Sequence, residues 1–236
     1  MIRLQIKNLF KKFVLHNKGD IIVEGFDNIS FEVKEKEFMS LEGPSGSGKS
    51  SILKNIYGTY KTTGGKILYF KKDGNVTDIA AASESEILNL RKHEIGYVSQ
   101  FLKILPRITA HEFVTEPLIE KGDFKQSALI RAAELLEYFG IKEKLFNLSP
   151  LTFSGGEQQR VNIAHGIIAP KNLLLMDEPT SALDSENSEK VLNKLTEIKN
   201  SGTSIIGIFH NKKIMQKVSD KIYNLEENAY AVSNQK

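Results

Sequence analysis

A chain of 236 residues with 40% hydrophobic side chains is long and apolar enough to bury the core of one α/β domain. Its 32 basic and 29 acidic residues are mixed along the chain and give a net charge of +3, so we expect no nucleic-acid partner. The absence of cysteine excludes disulfides, cysteine nucleophiles and cysteine metal ligands.

The first residues predict a strand and not a signal peptide. Ile2, Leu4 and Ile6 alternate with polar or charged residues, which is typical of a half-buried strand. No apolar run approaches the ~20 residues that a membrane-spanning helix needs. We therefore expect a cytoplasmic protein that reaches a membrane only through a partner.

Alternating or short apolar runs predict strands and one helix in the first third of the chain. The predicted strands cover residues 2–6, 29–33, 37–41 and 66–70, and the helix covers residues 50–56. Three connections are predicted there: a polar loop at 10–20, a glycine turn at 64–65 and a surface loop at 73–83.

The segment 87–170 predicts a mainly helical insertion. Ser83 and Glu86 have the spacing of a capping box that opens a helix. Helices are predicted at residues 83–92, 127–139 and 161–168. Pro106 and Pro117 are expected to break the intervening segment.

Alternating strands and helices in the last third predict a parallel sheet. The strands are predicted at residues 173–176, 204–209 and 221–225, and the helices at 185–200 and 212–218. Asp177, Glu178 and His210 stand at the carboxyl ends of two of these strands. Ligands bind at such ends, so these residues are predicted to meet at one site with the glycine-rich loop that follows strand 37–41.

That loop fits the phosphate-binding pattern G-x-x-x-x-G-K-[ST]. The predicted nucleotide contacts in it are Gly43, Pro44, Ser45, Gly46, Ser47, Gly48, Lys49, Ser50 and Ser51. The glycines leave backbone N–H groups open to a triphosphate, and Lys49 places a cation on the β- and γ-phosphates. The hydroxyl of Ser50 can bind Mg²⁺, and the helix that begins near Lys49 adds the positive end of its dipole.

The acids after residues 173–176 predict hydrolysis of a phosphoanhydride. Asp177 follows four apolar residues, the pattern of a carboxylate that binds Mg²⁺, and Glu178 is the candidate general base for the attacking water. Gln100 can offer its amide oxygen to Mg²⁺ or to that water, and His210 can contact the γ-phosphate. Neither is diagnostic alone, since polar loop glutamines and surface histidines are ordinary. The predicted catalytic residues are Glu178, His210, Gln100 and Lys49, and the predicted metal ligands are Ser50, Gln100 and Asp177.

Ser154, Gly155, Gly156 and Glu157 open a helix and form a second candidate anion-binding site. If the two sites lie on opposite faces of the chain, one triphosphate cannot easily contact both. A head-to-tail dimer, in which this second site closes over the nucleotide of a partner, is the economical solution. A β-turn with an ordinary helix cap is the alternative.

In this order the motifs resemble those of ABC-type ATPases. Residues 43–50, 100, 154–158, 177–178, 181–184 and 210 stand where that family has its Walker A, Q-loop, signature, Walker B, D-loop and H-loop motifs. The resemblance implies a P-loop NTPase core of mainly parallel sheet, an N-terminal antiparallel β subdomain and an inserted helical subdomain. It also implies ATP and Mg²⁺ as cofactors, a sandwiched dimer with a second copy or a sister ABC-type subunit, and stacking of Phe13 on adenine.

Residues 1–236 are accordingly predicted to be one ATP-binding domain. Its nucleotide-binding core comprises residues 1–86 and 171–236, and its helical subdomain comprises residues 87–170.

A narrower resemblance is to the PhnL-like ATPases of the phosphonate carbon–phosphorus lyase system. It rests on residues 13–16, 98–102, 105–108, 152–164 and 207–210. It implies subunits of a soluble phosphonate-lyase complex as partners. His165 and Ser51 depart from the family pattern, in which Arg and Thr are common, but neither change removes a phosphate or metal contact.

Two other functions fit the same motifs. The chain is also similar to the ATP-hydrolysing subunits of lipoprotein-release and macrolide-export transporters, which have a membrane permease as partner. A nucleotide-responsive binding module with negligible turnover is the third hypothesis, and the substrate of the wider system is not readable from the sequence.

Overall fold

The computed structural model describes residues 1–15 and 21–231, which form two β-sheets and seven α-helices. The strands are β1 (Ile2–Leu15), β2 (Ile21–Lys34), β3 (Phe38–Glu42), β4 (Gly64–Phe70), β5 (Val76–Asp78), β6 (Ile95–Val98), β7 (Leu173–Asp177), β8 (Ser204–Ile208), β9 (Lys221–Asn224) and β10 (Ala229–Ala231). The helices are α1 (Lys49–Ile56), α2 (Glu84–His93), α3 (Ala110–Lys121), α4 (Lys125–Tyr138), α5 (Gly155–Ile168), α6 (Ser185–Asn200) and α7 (Lys212–Val218). No helix within this described part is long and apolar enough to cross a membrane.

The two sheets confirm the predicted α/β fold. The first is antiparallel with strand order β2-β1-β4-β5, and the second has the order β10-β9-β3-β8-β7-β6. In the second sheet β9, β3, β8, β7 and β6 run parallel, and β10 pairs antiparallel with β9. Strand β6 lies within the range 87–170 and pairs with β7, so this range contributes one strand to the main sheet.

Strand β7 runs through the middle of the core and is buried on both faces. Leu173 and Leu175 pack into a cluster with β1, β4 and α1, whereas Leu174 and Met176 pack into a cluster with α3, α4, α5 and α6. Because successive side chains of a strand point to opposite faces, a continuous apolar run is what such a strand requires.

The predicted polar loop at 10–20 is wrong in its first half, because β1 continues to Leu15. Lys12 lies opposite Glu24 of β2, and their side chains are 3.5 Å apart. Backbone hydrogen bonds hold the two strands together, and these bonds do not depend on an alternation of apolar and polar side chains. The sequence therefore shows no strand pattern here. Residues 16–20 lie outside the described residues.

The predicted turn at 64–65 and the predicted loop at 73–83 also differ from the structure. Gly64 begins β4 and lies opposite Phe10, whose ring would be 2.3 Å from a Cβ at this position. The glycine therefore makes room for an aromatic ring within a sheet. Strand β5 lies inside the predicted loop, and its three residues are too few to show a period.

Pro117 lies inside α3, so the prediction that it breaks the segment between the helices at 83–92 and 127–139 is wrong, and α3 itself was missed. A proline inside a helix costs about 3 kcal/mol because it removes a hydrogen bond and crowds the preceding turn. The buried apolar residues of α3 are Ala110, Phe113, Val114 and Leu118. Burying each of the larger ones contributes about 1.5–3 kcal/mol, which offsets this cost. Thr109 and Glu112 form a capping box at its start, and Gly122 caps its end at φ 99°.

His165, one of the departures from the family pattern, packs between α5 and α3. Its ring stacks on Phe113 with centroids 4.0 Å apart and an interplanar angle of 9°. Its Nε2 lies 3.8 Å from a carboxylate oxygen of Glu116. The residue therefore contributes to packing inside the helical subdomain, away from the predicted phosphate contacts.

Candidate active site

The glycine-rich loop of residues 43–50, called the P-loop from here on, leads from β3 into α1 and borders a cavity of about 360 Å³. Gly48 caps α1 at φ 89°, and a Cβ there would lie 2.2 Å from the carbonyl oxygen of Gly25 in β2. Any other residue would be strained and blocked, which is the local reason for glycine. Ser47 Oγ is buried without a hydrogen-bond partner among the described residues, and Ser51 lies half-buried in the first turn of α1. The exposed residues of the loop are Pro44, Ser45 and Gly46.

Lys49 folds back over this loop. Its ammonium donates to the carbonyl oxygens of Gly43 at 2.7 Å and Pro44 at 2.6 Å. Burial lowers the pKa of Lys49, and the negative charges of Glu178 and Asp177 oppose that shift. The cation is thus tied to the loop and lies in the field of both acids, where it can contact phosphates held by the loop.

Asp177 ends β7 and is only 3% exposed. One of its carboxylate oxygens accepts a hydrogen bond from Ser50 Oγ at 2.8 Å, and the other accepts one from the Tyr97 hydroxyl at 3.1 Å. The structure therefore brings together two of the predicted metal ligands, Ser50 and Asp177, and adds Tyr97, which the sequence analysis did not single out.

Glu178 joins the carboxyl ends of three neighbouring strands. Its carboxylate lies 2.7 Å from Nε2 of His210, which follows β8, and accepts a hydrogen bond at 2.7 Å from Nε2 of Gln100, which follows β6. The Glu178 side chain is 12% exposed. Its backbone has φ 54°, a costly conformation for this residue type that is concentrated at functional sites. Three of the predicted catalytic residues thus meet through one carboxylate.

Gln159 of α5 is a site residue that the sequence analysis missed. It is 4% exposed, its Nε2 donates to the backbone oxygen of Glu178 at 2.7 Å, and its Oε1 accepts from the N–H of Ala182 at 2.9 Å. These bonds hold the turn that follows the acid. Gln159 directly follows the signature residues 154–158, but its partners Glu178 and Ala182 lie on a turn distant in sequence, so no local pattern indicates this role.

Phe13 lies near the P-loop, and Gly25 lies between the Phe13 ring and Gly48 of the loop. It pairs with Val23 of β2, and its ring meets the edge of Tyr60 with centroids 5.5 Å apart. A Cβ on Gly25 would lie 2.7 Å from the Phe13 ring, and the carbonyl of Gly25 abuts Gly48. The ring is therefore on the strand pair that packs against the start of α1.

The signature residues lie at a different place on the surface. Ser154 caps α5 by accepting from the N–H of Glu157, whose carboxylate accepts in turn from the N–H of Ser154 at 3.0 Å. A Cβ on Gly155 would meet nothing within 4 Å in the described part of the chain, and Gly156 faces the carbonyl of Ala182. None of the four residues of the predicted anion-binding site, Ser154, Gly155, Gly156 and Glu157, lines the P-loop cavity. The two predicted phosphate sites of one chain are not brought together.

The residues around Ser50 fit a magnesium ion. A hydroxyl and a carboxylate oxygen lie 2.8 Å apart, and oxygen atoms are the ligands that Mg²⁺ takes in proteins. Gln100 donates its Nε2 to Glu178, which leaves its amide oxygen for a metal ion or a water. Across residues 1–15 and 21–231 no three acidic or histidine side chains cluster as a metal site. Phosphate and water oxygens would complete the coordination.

Comparison with known proteins agrees with this geometry. The family model described as "ABC transporter" matches residues 26–181. The chain is 37% identical over 205 residues to the cell division ATP-binding protein FtsE of Bacillus subtilis, covering 87% of both chains. It is 34% identical over 225 residues to the macrolide export ATP-binding/permease protein MacB of Brucella melitensis, covering 95% of this chain and 33% of MacB.

A solved structure agrees over almost the whole chain. The ATP-binding cassette MJ0796 of Methanocaldococcus jannaschii, in a dimeric post-hydrolysis state bound to ADP and Pi, matches with a TM-score of 0.87 and 29% identity. The match covers 99% of this chain and 100% of that chain. The chain therefore belongs to the ABC transporter family as an ATP-binding cassette, and it is an ATP-hydrolysing domain.

Proposed function

We propose that this chain is the ATP-hydrolysing subunit of a membrane transport assembly and works as a dimer with two ATP molecules in the interface. The observation that carries the proposal is the separation of the two phosphate-binding helix starts. The P-loop borders a cavity to which Ser154 and Gly155 do not contribute, and these two residues are exposed elsewhere on the surface. A second chain packed head to tail would bring its own Ser154 to this P-loop. The dimeric MJ0796 structure supports the dimer, and the MacB permease supports a membrane partner.

In the proposed reaction Glu178 accepts the proton of the water that attacks the γ-phosphorus. The bond to the β–γ bridging oxygen breaks, and ADP and phosphate leave. Gln100 and His210 orient the Glu178 carboxylate, and Lys49 and the N–H groups of the P-loop hold the phosphates. When bound, Mg²⁺ neutralises charge that develops on the β- and γ-phosphate oxygens. Ser50, Asp177 and Gln100 would hold the ion.

We propose that Phe13 stacks on adenine, and Phe13→Ala is then expected to weaken ATP binding about tenfold. Stacking of a base on an aromatic ring is worth about 1–3 kcal/mol. Calorimetric ATP titration measures the loss. Phe13→Tyr should retain the affinity because it keeps the ring, and Phe124→Ala, which removes a ring that is 87% exposed, is the matched control. Equal affinities for Phe13→Ala and the parent would remove Phe13 from the site.

Ser154→Ala is expected to prevent ATP-dependent dimerisation and to lower the free energy of unfolding by about 1 kcal/mol. The matched control is Ser83→Ala, because Ser83 and Glu86 form the same capping box at the start of α2. Both variants should lose similar stability in urea unfolding, but only Ser154→Ala should fail to dimerise with ATP by light scattering. A dimer defect shared by both would contradict a specific role of the signature.

The partner proposal is tested by isolating the tagged chain from its native cells with and without detergent. A membrane permease that co-purifies only in detergent supports the transport assembly. The phosphonate-lyase complex is the second candidate, favoured by the sequence likeness at residues 98–102, 105–108 and 152–164, although FtsE, MacB and MJ0796 give it no support. Its soluble subunits would co-purify without detergent, and that result would replace the transport assembly.

A further inference from the structure

Tyr97 of β6 contacts the carboxylate that ends the neighbouring strand. Its backbone lies opposite Leu175 of β7, and its hydroxyl reaches forward to Asp177 at 3.1 Å. The other oxygen of Asp177 accepts from Ser50. Each of the two carboxylate oxygens thus has its own hydroxyl donor, one on the P-loop helix and one on β6.

The Tyr97 ring is held in place by a stack of three side chains. The Tyr97 ring stacks on the Tyr57 ring with centroids 5.1 Å apart and an interplanar angle of 26°. The guanidinium carbon of Arg91 lies over the Tyr57 ring, 4.6 Å from its centroid. Arg91 also donates from Nε to the carbonyl of Tyr57 at 3.0 Å. Tyr57 follows the last residue of α1, so the stack ties β6 to the helix that carries Ser50.

The Tyr97 hydroxyl is the donor of this hydrogen bond, because a carboxylate oxygen can only accept. Burial raises the pKa of Tyr97, and the negative charge of Asp177 raises it further. The hydrogen bond restricts the rotation of Asp177 about its terminal bond.

We propose that Tyr97 is a positioning residue for magnesium. By holding one carboxylate oxygen of Asp177, it orients the other oxygen, which accepts from Ser50, toward the ion. The inference rests on the proposed role of Asp177 as a metal ligand. Partners of ligating carboxylates set metal affinity even though they never contact the metal. The same strand and its following loop also supply Gln100 to Glu178, so one segment holds both adjacent acids.

The test is the magnesium dependence of ATP binding by Tyr97→Phe. The variant keeps the ring on Tyr57 and removes only the hydroxyl. We expect the gain in ATP affinity on adding Mg²⁺, measured by calorimetry, to fall about tenfold, the lower end of the effect of losing an outer-shell partner. Affinity for ATP in EDTA should stay unchanged. Equal losses with and without Mg²⁺, or no loss at all, would overturn the proposal.

Tyr69→Phe is the matched control, because the Tyr69 hydroxyl is also buried and donates to a carboxylate, that of Glu94 at 2.7 Å. It should leave the magnesium gain intact. Asp177→Asn separates the two levels of inference: if it retains the full gain, the metal role of Asp177 fails. If Asp177→Asn loses the gain but Tyr97→Phe does not, only the role of Tyr97 fails. In the double variant Tyr97→Phe should add no further loss, and an additive loss would mean that Tyr97 does not act through Asp177.

Discussion

Replacing Glu178 by glutamine is expected to slow ATP hydrolysis about 10²–10⁴-fold while ATP still binds, since general-base catalysis contributes a factor of this size. An amide has nearly the shape of the carboxylate but cannot accept the proton of the attacking water. Its oxygen can still accept from Gln100 or His210, so the local geometry should persist. Phosphate release measures the rate. With hydrolysis blocked, ATP should trap the dimer, which light scattering detects.

The control for this variant is Glu197→Gln, because Glu197 pairs with Lys194 on the surface of α6 and lies outside the site. It should match the parent in both assays. Equal turnover in Glu178→Gln and the parent would refute Glu178 as the base. Turnover that is lost together with ATP binding would mean that the variant had disturbed the P-loop instead.

Lys49→Ala is expected to lower ATP affinity about 100-fold. Losing one partner of a desolvated, hydrogen-bonded charge pair costs about 2–5 kcal/mol, and the phosphates lose their nearest cation. The ammonium donates to the carbonyl oxygens of Gly43 and Pro44, so its donors are directed into the loop. Titration calorimetry with ATP and Mg²⁺ measures the loss.

Lys190→Ala is the control for charge alone, because it removes one positive charge, as Lys49→Ala does. Lys190 forms an exposed ion pair with Glu186 on α6. It should bind ATP like the parent at the same ionic strength. If Lys49→Ala keeps the parent affinity in folded protein, the cation is not a phosphate contact. Thermal unfolding without nucleotide establishes that the variant is folded.

Elements with strong local signals were predicted correctly. The helix predicted over 127–139 is α4, and the capping box of Ser83 and Glu86 opens α2 as expected. The wholly apolar run before Asp177 is β7 because its alternate side chains feed two separate clusters. In each case the period or the cap is written in neighbouring residues, so the sequence displays it.

The missed strands share a physical cause. Strand β5 and the second half of β1 are held by backbone pairing with neighbouring strands. Backbone pairing requires no alternation of apolar and polar residues when a strand is very short or has both faces exposed, so the sequence shows no strand pattern there. Helix α3 survives Pro117 because α4 and α5 cover its apolar face. Its capping residues Thr109 and Glu112 and its terminal Gly122 were readable signals that outweigh the proline.

The sequence by itself determined the P-loop, because a phosphate cradle is built from consecutive backbone N–H groups and its pattern is therefore continuous. It also determined that two acids, Asp177 and Glu178, stand at the carboxyl end of β7. Only the tertiary structure decided how these groups work together. Contacts from other strands and helices made Glu178 the common partner of Gln100 and His210 and brought Tyr97 to Asp177. The bond of Gln100 to Glu178 spans 78 residues of chain and that of Tyr97 to Asp177 spans 80, and short-range patterns carry no record of them.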